Sequence, residues 1–370
     1  MTDVFNLLDL EPNIPPTDFG IYTTMLSAKP KFGKSEWCTL YNRPLIYDFE
    51  EGTKGKVVYR VPITKWSQVK SYNRQLVKNP DLKEKYKTIC FDTVNYALEL
   101  CKQYIMDQYQ SDHPDKMIDT FNKIPYGGGH ELLSKEFKNE INKLKRAGYG
   151  IVFVCHIKEK VFDKDTESEH SKTVPDLSDR ERNLLSAMAD FLLLGDLETE
   201  VIKAAIKDSN GKVIQPAITE TNRVLYIRTN EKAESGFRWQ NVPEKIPFDF
   251  NVFKSVFEEA VMEEIERGKE KFNLSDEKIQ EIKNNLIIHD EKERKEVIKS
   301  EIEKDLKEQE VEELKDIIEK IKNKAKELQS NGVAVKVINK VLNGNPDKLT
   351  SIDEANKILK GLNELEVSKE

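Results

Sequence analysis

Short apolar runs alternate with helical spacings of apolar residues from residue 21 to about residue 250. The short runs predict buried strands, and they lie at residues 22–26, 45–47, 57–61, 88–91, 151–154 and 191–194. Apolar residues at three- and four-residue spacing predict helices near residues 65–78, 93–109 and 130–147. Strands that alternate with helices are typical of a mostly parallel sheet with helices on both faces. We therefore predict an α/β core over residues 21–255.

The pattern differs at both ends of this core. Residues 1–20 contain leucines followed by three prolines, which predicts an extended N-terminal arm that packs on its own core or on a neighbour. Residues 200–228 predict antiparallel strands at one edge of the sheet, with a turn at residues 208–211. Residues 256–330 form a Glu/Lys-rich region of helical spacing, and residues 331–370 predict a helical hairpin around a Gly/Pro turn. The C-terminal third is therefore expected to be an all-α appendage.

Composition and charge narrow the class of protein. The chain has 370 residues, and its hydrophobic content of 38% is enough for one sizeable core. Acidic residues exceed basic ones from Val256 onward by the whole net charge of −7, so residues 1–255 are close to neutral. This balance excludes a protein that binds duplex nucleic acid with an entire basic face. Any contact with nucleic acid is expected in a local groove.

Cysteine usage and hydropathy predict a cytoplasmic protein. The four cysteines lie within apolar strand or helix patterns and lack the Cys-x-x-Cys spacing, which favours buried thiols in a reducing compartment. No apolar run approaches the roughly 18 residues that a membrane span needs. The N-terminus also lacks the basic-then-apolar order of an export signal. We therefore expect no membrane association.

Residues 28–36 read Ala-Lys-Pro-Lys-Phe-Gly-Lys-Ser-Glu and lie between a predicted strand and a predicted helix. In this setting Gly33 lets backbone N–H groups point at a phosphate, Lys34 brings a cation to the β- and γ-phosphate oxygens, and Ser35 offers a hydroxyl to Mg²⁺. The stretch predicts an ATP-binding loop, whose residues are Lys29, Pro30, Lys31, Phe32, Gly33, Lys34, Ser35 and Glu36. Ala28 replaces the usual first glycine, and it fits only if its backbone is extended.

Two carboxylates are predicted to complete this site. Asp92 ends a buried strand, which we expect to be adjacent to the strand of the loop, and it is the predicted metal ligand together with Ser35. A cap on the following helix is the competing role for Asp92. Glu50 follows the next strand after the loop and is the predicted catalytic base, with Glu51 as the alternative. An ordinary polar turn before Gly52 is the competing interpretation of this segment.

Two further side chains are predicted to act on the phosphate end of the nucleotide. His156 follows a core strand at the edge where open α/β sheets bind ligands, so it is the predicted γ-phosphate sensor, whereas a structural histidine is the alternative. Arg238 lies in a Gly-containing connection that could reach across a subunit boundary and stabilise charge on the transferred phosphoryl group. A surface arginine is the alternative there.

The order and spacing of these motifs resemble those of RecA-like P-loop ATPases, and most closely the Sak-type ATPases of phages, which are linked to single-strand annealing and recombination. The matching segments are residues 29–35, 48–52, 89–92, 124–129, 152–156, 223–228 and 236–238. The resemblance covers about residues 20–255. It implies a RecA-like core, ATP and Mg²⁺ as cofactors, single-stranded DNA as a partner, and homo-oligomers with ATP between subunits.

The resemblance also implies that two loops contact DNA. The candidates are residues 111–129 and residues 157–178, because basic side chains along a strand and aromatic platforms suit single-stranded nucleic acid. The predicted DNA-binding residues are Tyr126, Gly127, Lys158, Lys160 and Lys172. The second loop also carries acidic residues, so a plain disordered or hairpin loop is an equal alternative.

Three functions compete at this stage. The first is a DNA-stimulated ATPase in phage recombination or annealing, or in replication, and the second is a DnaB-like helicase motor, which shares the core and the loop. The third is a nucleotide-switched assembly or loader protein, whose C-terminal helices bind a protein partner. Strand separation by the purified protein would favour the motor, and turnover that ignores DNA would favour the loader.

Overall fold

A computed structural model describes residues 10–115, 118–125, 128–162, 170–203, 206–207, 213–214, 217–330, 332–342 and 344–367. The chain divides into two compact units, residues 1–295 and residues 296–370. The strands are β1 (Thr23–Ala28), β2 (Pro44–Asp48), β3 (Tyr59–Pro62), β4 (Thr88–Asp92), β5 (Gly150–Cys155), β6 (Ile157–Phe162), β7 (His170–Pro175), β8 (Phe191–Lys203), β9 (Ile206–Lys207), β10 (Val213–Ile214), β11 (Ala217–Tyr226) and β12 (Lys245–Pro247).

The helices are α1 (Lys34–Thr39), α2 (Trp66–Lys78), α3 (Pro80–Lys85), α4 (Val94–Asp112), α5 (Gly128–Arg146), α6 (Asp179–Met188), α7 (Phe250–Phe272), α8 (Asp276–Ser330), α9 (Val335–Leu342) and α10 (Ile352–Val367).

Eight strands form one sheet in the order β12-β11-β8-β1-β5-β4-β2-β3. The six strands from β8 to β3 are parallel, whereas β11 runs antiparallel to β8 and β12 runs antiparallel to β11. The carboxyl ends of β1, β5, β4 and β2 therefore meet at one edge, which is where such sheets bind ligands. The predicted mostly parallel α/β core is confirmed.

Helices cover both faces because successive side chains of a buried strand point to opposite sides. On one face, α1 and α7 pack on strand residues such as Leu26 and Val152 through Trp37, Phe253 and Phe257. On the other face, α4 and α5 contact β5, and α2 packs against α4 and α5. A chain of aromatic contacts on that face joins Trp66, Phe137, Phe153 and Phe91.

The described part of the N-terminal arm packs on its own core. Ile14 and Phe19 are buried in the same apolar cluster as α7, and the Tyr22 hydroxyl donates to the Pro16 carbonyl at 2.9 Å. The predicted core boundary at residue 255 falls inside α7. Because α7 buries one apolar face from Phe253 to Ile265 against the sheet, it belongs to the same compact unit as the strands.

The far edge of the sheet differs in detail from the prediction. β8 continues as a single strand to Lys203 and pairs with all of β11, from Lys203↔Ala217 to Leu194↔Tyr226. A separate short ribbon pairs β9 with β10. The predicted turn at residues 208–211 lies outside the described residues. The ends of β8 and β11 are set by pairing between distant parts of the chain. The local residue pattern does not indicate which distant segments pair.

The second unit has its own apolar cluster. Ile321, Leu328 and Ile338 pack with Ala355 and Leu362, so α9 and α10 bury one face each, as expected for the helical pair after residue 331. Within the described residues, no helix combines the length and the apolar character needed to cross a bilayer. All four cysteines are buried free thiols, which confirms the prediction of buried cysteines.

Candidate nucleotide-binding site

The predicted phosphate loop is a turn between the end of β1 and the start of α1. Gly33 takes a φ of 114° immediately before α1, a conformation that strongly favours glycine, and Lys31 takes a φ of 61°. Ala28 is the last residue of β1 and is buried, so its backbone is extended. The condition for an alanine at this position is met.

Phe32 anchors the loop to the neighbouring strands. Its ring packs edge-to-face on Phe248 at a centroid distance of 4.7 Å. A Cβ on Gly195 of β8 would lie only 2.6 Å from the Phe32 ring, so β8 approaches the loop more closely than any side chain allows. Arg223 of β11 also donates to the Phe32 carbonyl at 3.3 Å. The loop is therefore held by β8, β11 and the residue that follows β12.

A cavity of about 370 Å³ opens above the loop. Its lining residues are Pro30, Lys31, Gly33, Lys34, Ser35, Glu36, Glu50, Gly52, Lys56, Asp92, Thr93 and His156. Six of the eight predicted ATP-binding residues line this cavity. The other two lie beside it, because Lys29 pairs with Asp196 at 3.4 Å and Phe32 packs on the sheet. The structure thus brings the loop, both predicted carboxylates and His156 together.

Lys34 is buried within the loop. Its Nζ donates to the carbonyl oxygens of Ala28 and Lys29, both at 2.8 Å, and lies 3.4 Å from Nδ1 of His156. Burial lowers the pKa of the Lys34 ammonium, and the nearby Asp92 carboxylate opposes this shift. A phosphate that binds here has to draw the ammonium away from the loop carbonyls.

Asp92 and Ser35 meet across the end of an intervening strand. The Ser35 hydroxyl donates to Oδ2 of Asp92 at 2.5 Å, and the N-cap residue of α4 is Thr93, not Asp92. The expectation that Asp92 follows the strand adjacent to β1 was wrong, because β5 lies between β1 and β4. The contact forms because the loop after β1 places Ser35, the second residue of α1, within reach of the end of β4.

Burial also raises the pKa of the Asp92 carboxyl. The Asp48 and Glu50 carboxylates raise it further, whereas the Ser35 hydrogen bond and Lys34 oppose the shift. Ionised Asp92 is therefore poorly hydrated and lies near two further carboxylates. Such an environment favours a cation.

Asp48 shapes the loop that carries Glu50. This buried carboxylate accepts from the backbone N–H groups of Gly52 and Thr53 at 3.1 and 3.2 Å, and from the Thr53 hydroxyl at 2.5 Å. Arg60 pairs with it at 3.0 Å. These bonds close the turn after β2, so that Glu50 and Gly52 line the cavity.

Glu50 accepts two hydrogen bonds inside the cavity. Its Oε1 accepts a hydrogen bond from the Thr93 hydroxyl and lies 3.2 Å from Nε2 of His156. Glu51, the alternative base, is exposed, takes a positive φ of 56° and pairs with Lys54 at 3.4 Å. The geometry therefore favours Glu50 over Glu51 as the group that faces a bound nucleotide.

The oxygen donors at this edge fit Mg²⁺. The ion prefers hard oxygen ligands and usually keeps waters and substrate phosphates, so it needs only one or two protein groups. The Ser35 hydroxyl and the Asp92 carboxylate supply such groups, and a cation would offset both the burial of Asp92 and its repulsion by the Asp48 and Glu50 carboxylates. Across the described residues, no cluster of three or more His, Cys, Asp or Glu side chains offers a closed metal cage.

Arg238 lies at the opposite end of the strands from the cavity. It pairs with Asp190 through Nε at 2.5 Å and through Nη2, and Asp190 also accepts from the backbone N–H of Thr23 at the start of β1. Lys34 follows the other end of β1. The structure therefore does not bring Arg238 to the cavity of its own chain, and its predicted action across a subunit boundary stays a prediction.

The predicted DNA-binding lysines form contacts within the chain. Lys158 pairs with Asp176 at 3.1 Å, Lys160 pairs with Asp179 at 2.6 Å, and Lys172 donates to the Thr229 hydroxyl at 3.0 Å. Lys158 and Lys160 lie on β6 and Lys172 on β7, so the second predicted loop is a β-hairpin at its base. Tyr126 and Gly127 lie outside the described residues.

Three cavity residues were missed by the reasoning from sequence. Thr93 directly follows Asp92, and Gly52 and Lys56 follow Glu50 within a run of Gly, Thr and Lys. Lys56 forms an ion pair with Glu36 of α1 at the mouth of the cavity. The nearness of these residues to Asp92 and Glu50 in the sequence was the signal that could have found them.

Comparison with known proteins agrees with the geometry. The sequence matches the family described as the AAA domain over residues 22–239, a span of more than half the chain that includes the loop, Glu50, Asp92 and His156. No curated protein matches the chain. On the strength of this match, the chain belongs to the AAA domain family of P-loop ATPases.

Proposed function

We propose that this protein binds ATP with Mg²⁺ and hydrolyses it in the cavity above the phosphate loop. The observation that carries the proposal is the convergence of Lys34, the Ser35–Asp92 pair and Glu50 on one cavity at the carboxyl edge of the sheet. The AAA domain match over residues 22–239 supports nucleotide hydrolysis in general. The roles of the individual side chains are part of the proposal.

Each side chain has a role that follows from its chemistry. Lys34 and the loop N–H groups bind the β- and γ-phosphates, and Ser35 and Asp92 hold the metal ion. When bound, Mg²⁺ neutralises charge on the phosphate oxygens. Glu50 accepts a proton from the water that attacks the γ-phosphorus, and the bond between that phosphorus and the bridging oxygen of ADP breaks.

The matched pair Glu50→Gln and Glu51→Gln tests this assignment. Glu50→Gln is expected to retain ATP binding and to lower the turnover number by roughly 10²- to 10⁴-fold, because the amide cannot accept the proton. Glu51→Gln removes the neighbouring carboxylate, which is exposed and paired with Lys54, and is expected to keep normal turnover. Phosphate release and nucleotide titration calorimetry measure the two quantities. Normal turnover by Glu50→Gln would remove Glu50 as the base.

We further propose that hydrolysis serves the handling of single-stranded DNA by a homo-oligomer, as in phage recombination or annealing. Support comes from the order and spacing of the motifs, which resemble those of Sak-type proteins, and from the hairpin of β6 and β7, which begins directly after His156. Arg238 would then act in the site of a neighbouring subunit. A DnaB-like motor shares the same core and is the related alternative.

One observation favours a nucleotide-switched assembly or loader protein instead. Lys158, Lys160 and Lys172 are all engaged within the chain, and a DNA strand would have to compete with those contacts. The ATPase rate with and without single-stranded DNA, combined with electron microscopy of the same mixtures, separates the functions. Stimulation with rings or filaments on DNA supports the DNA role, whereas an unchanged rate together with no assembly on DNA contradicts it.

A further inference from the structure

The hairpin of β6 and β7 starts and ends beside the nucleotide cavity. The chain leaves β5, passes His156 and enters β6, and it returns from β7 at Asp176. Ile157 and Pro175 are the first and last paired residues of the hairpin, and the Asp176 N–H donates to the His156 carbonyl at 2.7 Å. The two ends of the hairpin are therefore joined at the residue that contacts Lys34 and Glu50.

The Asn95 side chain holds both ends of this hairpin. Its Oδ1 accepts from the backbone N–H of His156 at 3.1 Å, and its Nδ2 donates to the carbonyl oxygen of Asp176 at 2.6 Å. Asn95 is the second residue of α4, which begins two residues after Asp92. An amide is suited to this position because it offers a donor and an acceptor together. Asn95 itself does not line the nucleotide cavity.

The contacts of His156 require one ring tautomer. The Lys34 ammonium can only donate, so Nδ1 of His156 has to accept at that contact of 3.4 Å. The proton of the neutral ring then lies on Nε2, from which it is donated to Oε1 of Glu50 at 3.2 Å. A shift of the His156 backbone would break both contacts, because they lie on opposite sides of the ring.

We propose that Asn95 is a positioning residue for ATP hydrolysis. By holding the backbone at His156 and Asp176, its amide keeps the His156 ring between Lys34 and Glu50, and so keeps the predicted base oriented. This inference rests on the proposed ATPase function. It assigns a role to a side chain that touches neither the loop nor the predicted metal ligands.

A double-mutant cycle tests the proposal. Asn95→Ala is expected to lower the turnover number for ATP by roughly 10- to 100-fold, the range typical for loss of an orienting partner, with little change in nucleotide affinity. In a His156→Ala background the same change is expected to have no further effect, because Asn95 acts through His156. Glu99→Gln, one turn further along α4 and exposed, is the matched control and is expected to leave turnover unchanged.

A ring-nitrogen spectrum tests the same contact without any ATP turnover. The chain has five histidines, so ¹⁵N-histidine NMR can resolve them, and the His156→Ala spectrum assigns the His156 signals. The wild-type spectrum is expected to show the Nε2–H tautomer, and Asn95→Ala is expected to show exchange between both tautomers.

An equal fall in turnover in both backgrounds, or an unchanged ring spectrum in Asn95→Ala, would overturn the proposal. Absence of turnover in the wild type would instead overturn the proposed ATPase function, and the spectrum would still decide whether Asn95 positions the ring.

Discussion

Lys34 and Asp92 are buried ionisable side chains in the cavity, and burial disfavours the charged form of each. The pKa of the Lys34 ammonium is lowered and that of the Asp92 carboxyl is raised, chiefly because both have lost water. Each charge opposes the shift of the other, but neither removes it. Buried charges of this kind are typical of functional sites, because attraction to a ligand of opposite charge can offset the free energy lost when the side chain is removed from water.

Replacement of Lys34 by Ala is expected to weaken ATP binding by roughly 10- to 100-fold, because a hydrogen bond to a charged group contributes about 1.5–3 kcal/mol. Hydrolysis is expected to be lost. Calorimetric titration and phosphate release measure the two effects. Lys54→Ala, which removes an exposed lysine paired with Glu51, is the control and should bind ATP normally. Equal affinity of Lys34→Ala and the wild type would contradict the role of Lys34.

Replacement of Asp92 by Asn is expected to stabilise the nucleotide-free protein and to abolish Mg²⁺-dependent turnover. A carboxyl with a raised pKa holds its proton more tightly in the folded state, so its contribution to stability is present at low pH and is lost as the pH rises through the folded-state pKa. The amide removes this penalty, so the melting temperature at neutral pH should rise.

Thermal melting of Asp92→Asn from pH 4 to pH 8 measures this effect. The advantage over the wild type should grow with pH across the range in which the carboxyl ionises. Asp107→Asn, an exposed change in the C-terminal half of α4, is the control and should show no such trend. A lower melting temperature for Asp92→Asn at neutral pH would contradict the inferred electrostatic penalty.

At the scale of elements, the sequence predicted those strands and helices that have a clear local pattern of apolar residues. The six strands of apolar residues and the helices α2, α4 and α5 were found because their periodicity is continuous. The sequence allows either a disordered loop or a hairpin for β6 and β7, because β6 carries three consecutive charged residues and has no buried face. The position of β5 between β1 and β4 is set by pairing between distant segments, which residue spacing does not report.

The site shows the same division between local and distant information. Gly33, Lys34 and Ser35 act through one continuous turn, so their geometry could be anticipated. The Asn95 side chain bonds to His156 and Asp176, which follow it in the sequence by 61 and 81 positions. Nothing in the run Asp-Thr-Val-Asn indicates these two hydrogen bonds. Arg238 was expected near a nucleotide, and its ion pair with Asp190 became visible only in the folded chain.

The start of β5 depends on a glycine at residue 150. A Cβ at this position would lie 1.5 Å from the backbone oxygen of Gly20, which cannot move without disturbing the start of β1. Gly150→Ala is therefore expected to destabilise the protein by about 3 kcal/mol or more, the upper end for overpacking. Urea unfolding followed by circular dichroism measures the change.

Gly268→Ala is the matched control for this experiment. Gly268 lies inside α7, and a Cβ there would meet no atom within 4 Å. The substitution should stabilise the protein by about 0.5–1 kcal/mol, because alanine is the better helix former. Equal effects of the two glycine substitutions would contradict the close approach of Gly20 to β5.

At the scale of the whole molecule, the predicted site lies entirely within the first of the two compact units. Binding of ATP with Mg²⁺ should therefore slow amide hydrogen exchange in the phosphate loop, in residues 48–56 and in residues 92–95, and leave α9 and α10 unchanged. At a ligand concentration of 100 times Kd, the stabilisation amounts to about 2.7 kcal/mol. Mass spectrometry of exchanged peptides measures this pattern.

Removal of the metal provides the control for the exchange experiment. Addition of EDTA should reverse most of the protection around Ser35 and Asp92, because these groups are the proposed ligands of Mg²⁺. Protection that is centred on residues 335–367 would contradict the location of the site. Protection that survives EDTA unchanged would contradict the role of the Ser35–Asp92 pair.

The place of β1 in the sheet has a consequence for synthesis of the protein. Both neighbours of β1 come from much later parts of the chain, since β5 begins at residue 150 and β8 at residue 191. A ribosome must therefore deliver residues 150–155 before the first strand has one partner, and residues 191–195 before it has partners on both sides. Until then the nascent chain cannot assemble its phosphate loop in the native setting, and ATP cannot guide the earliest steps of folding.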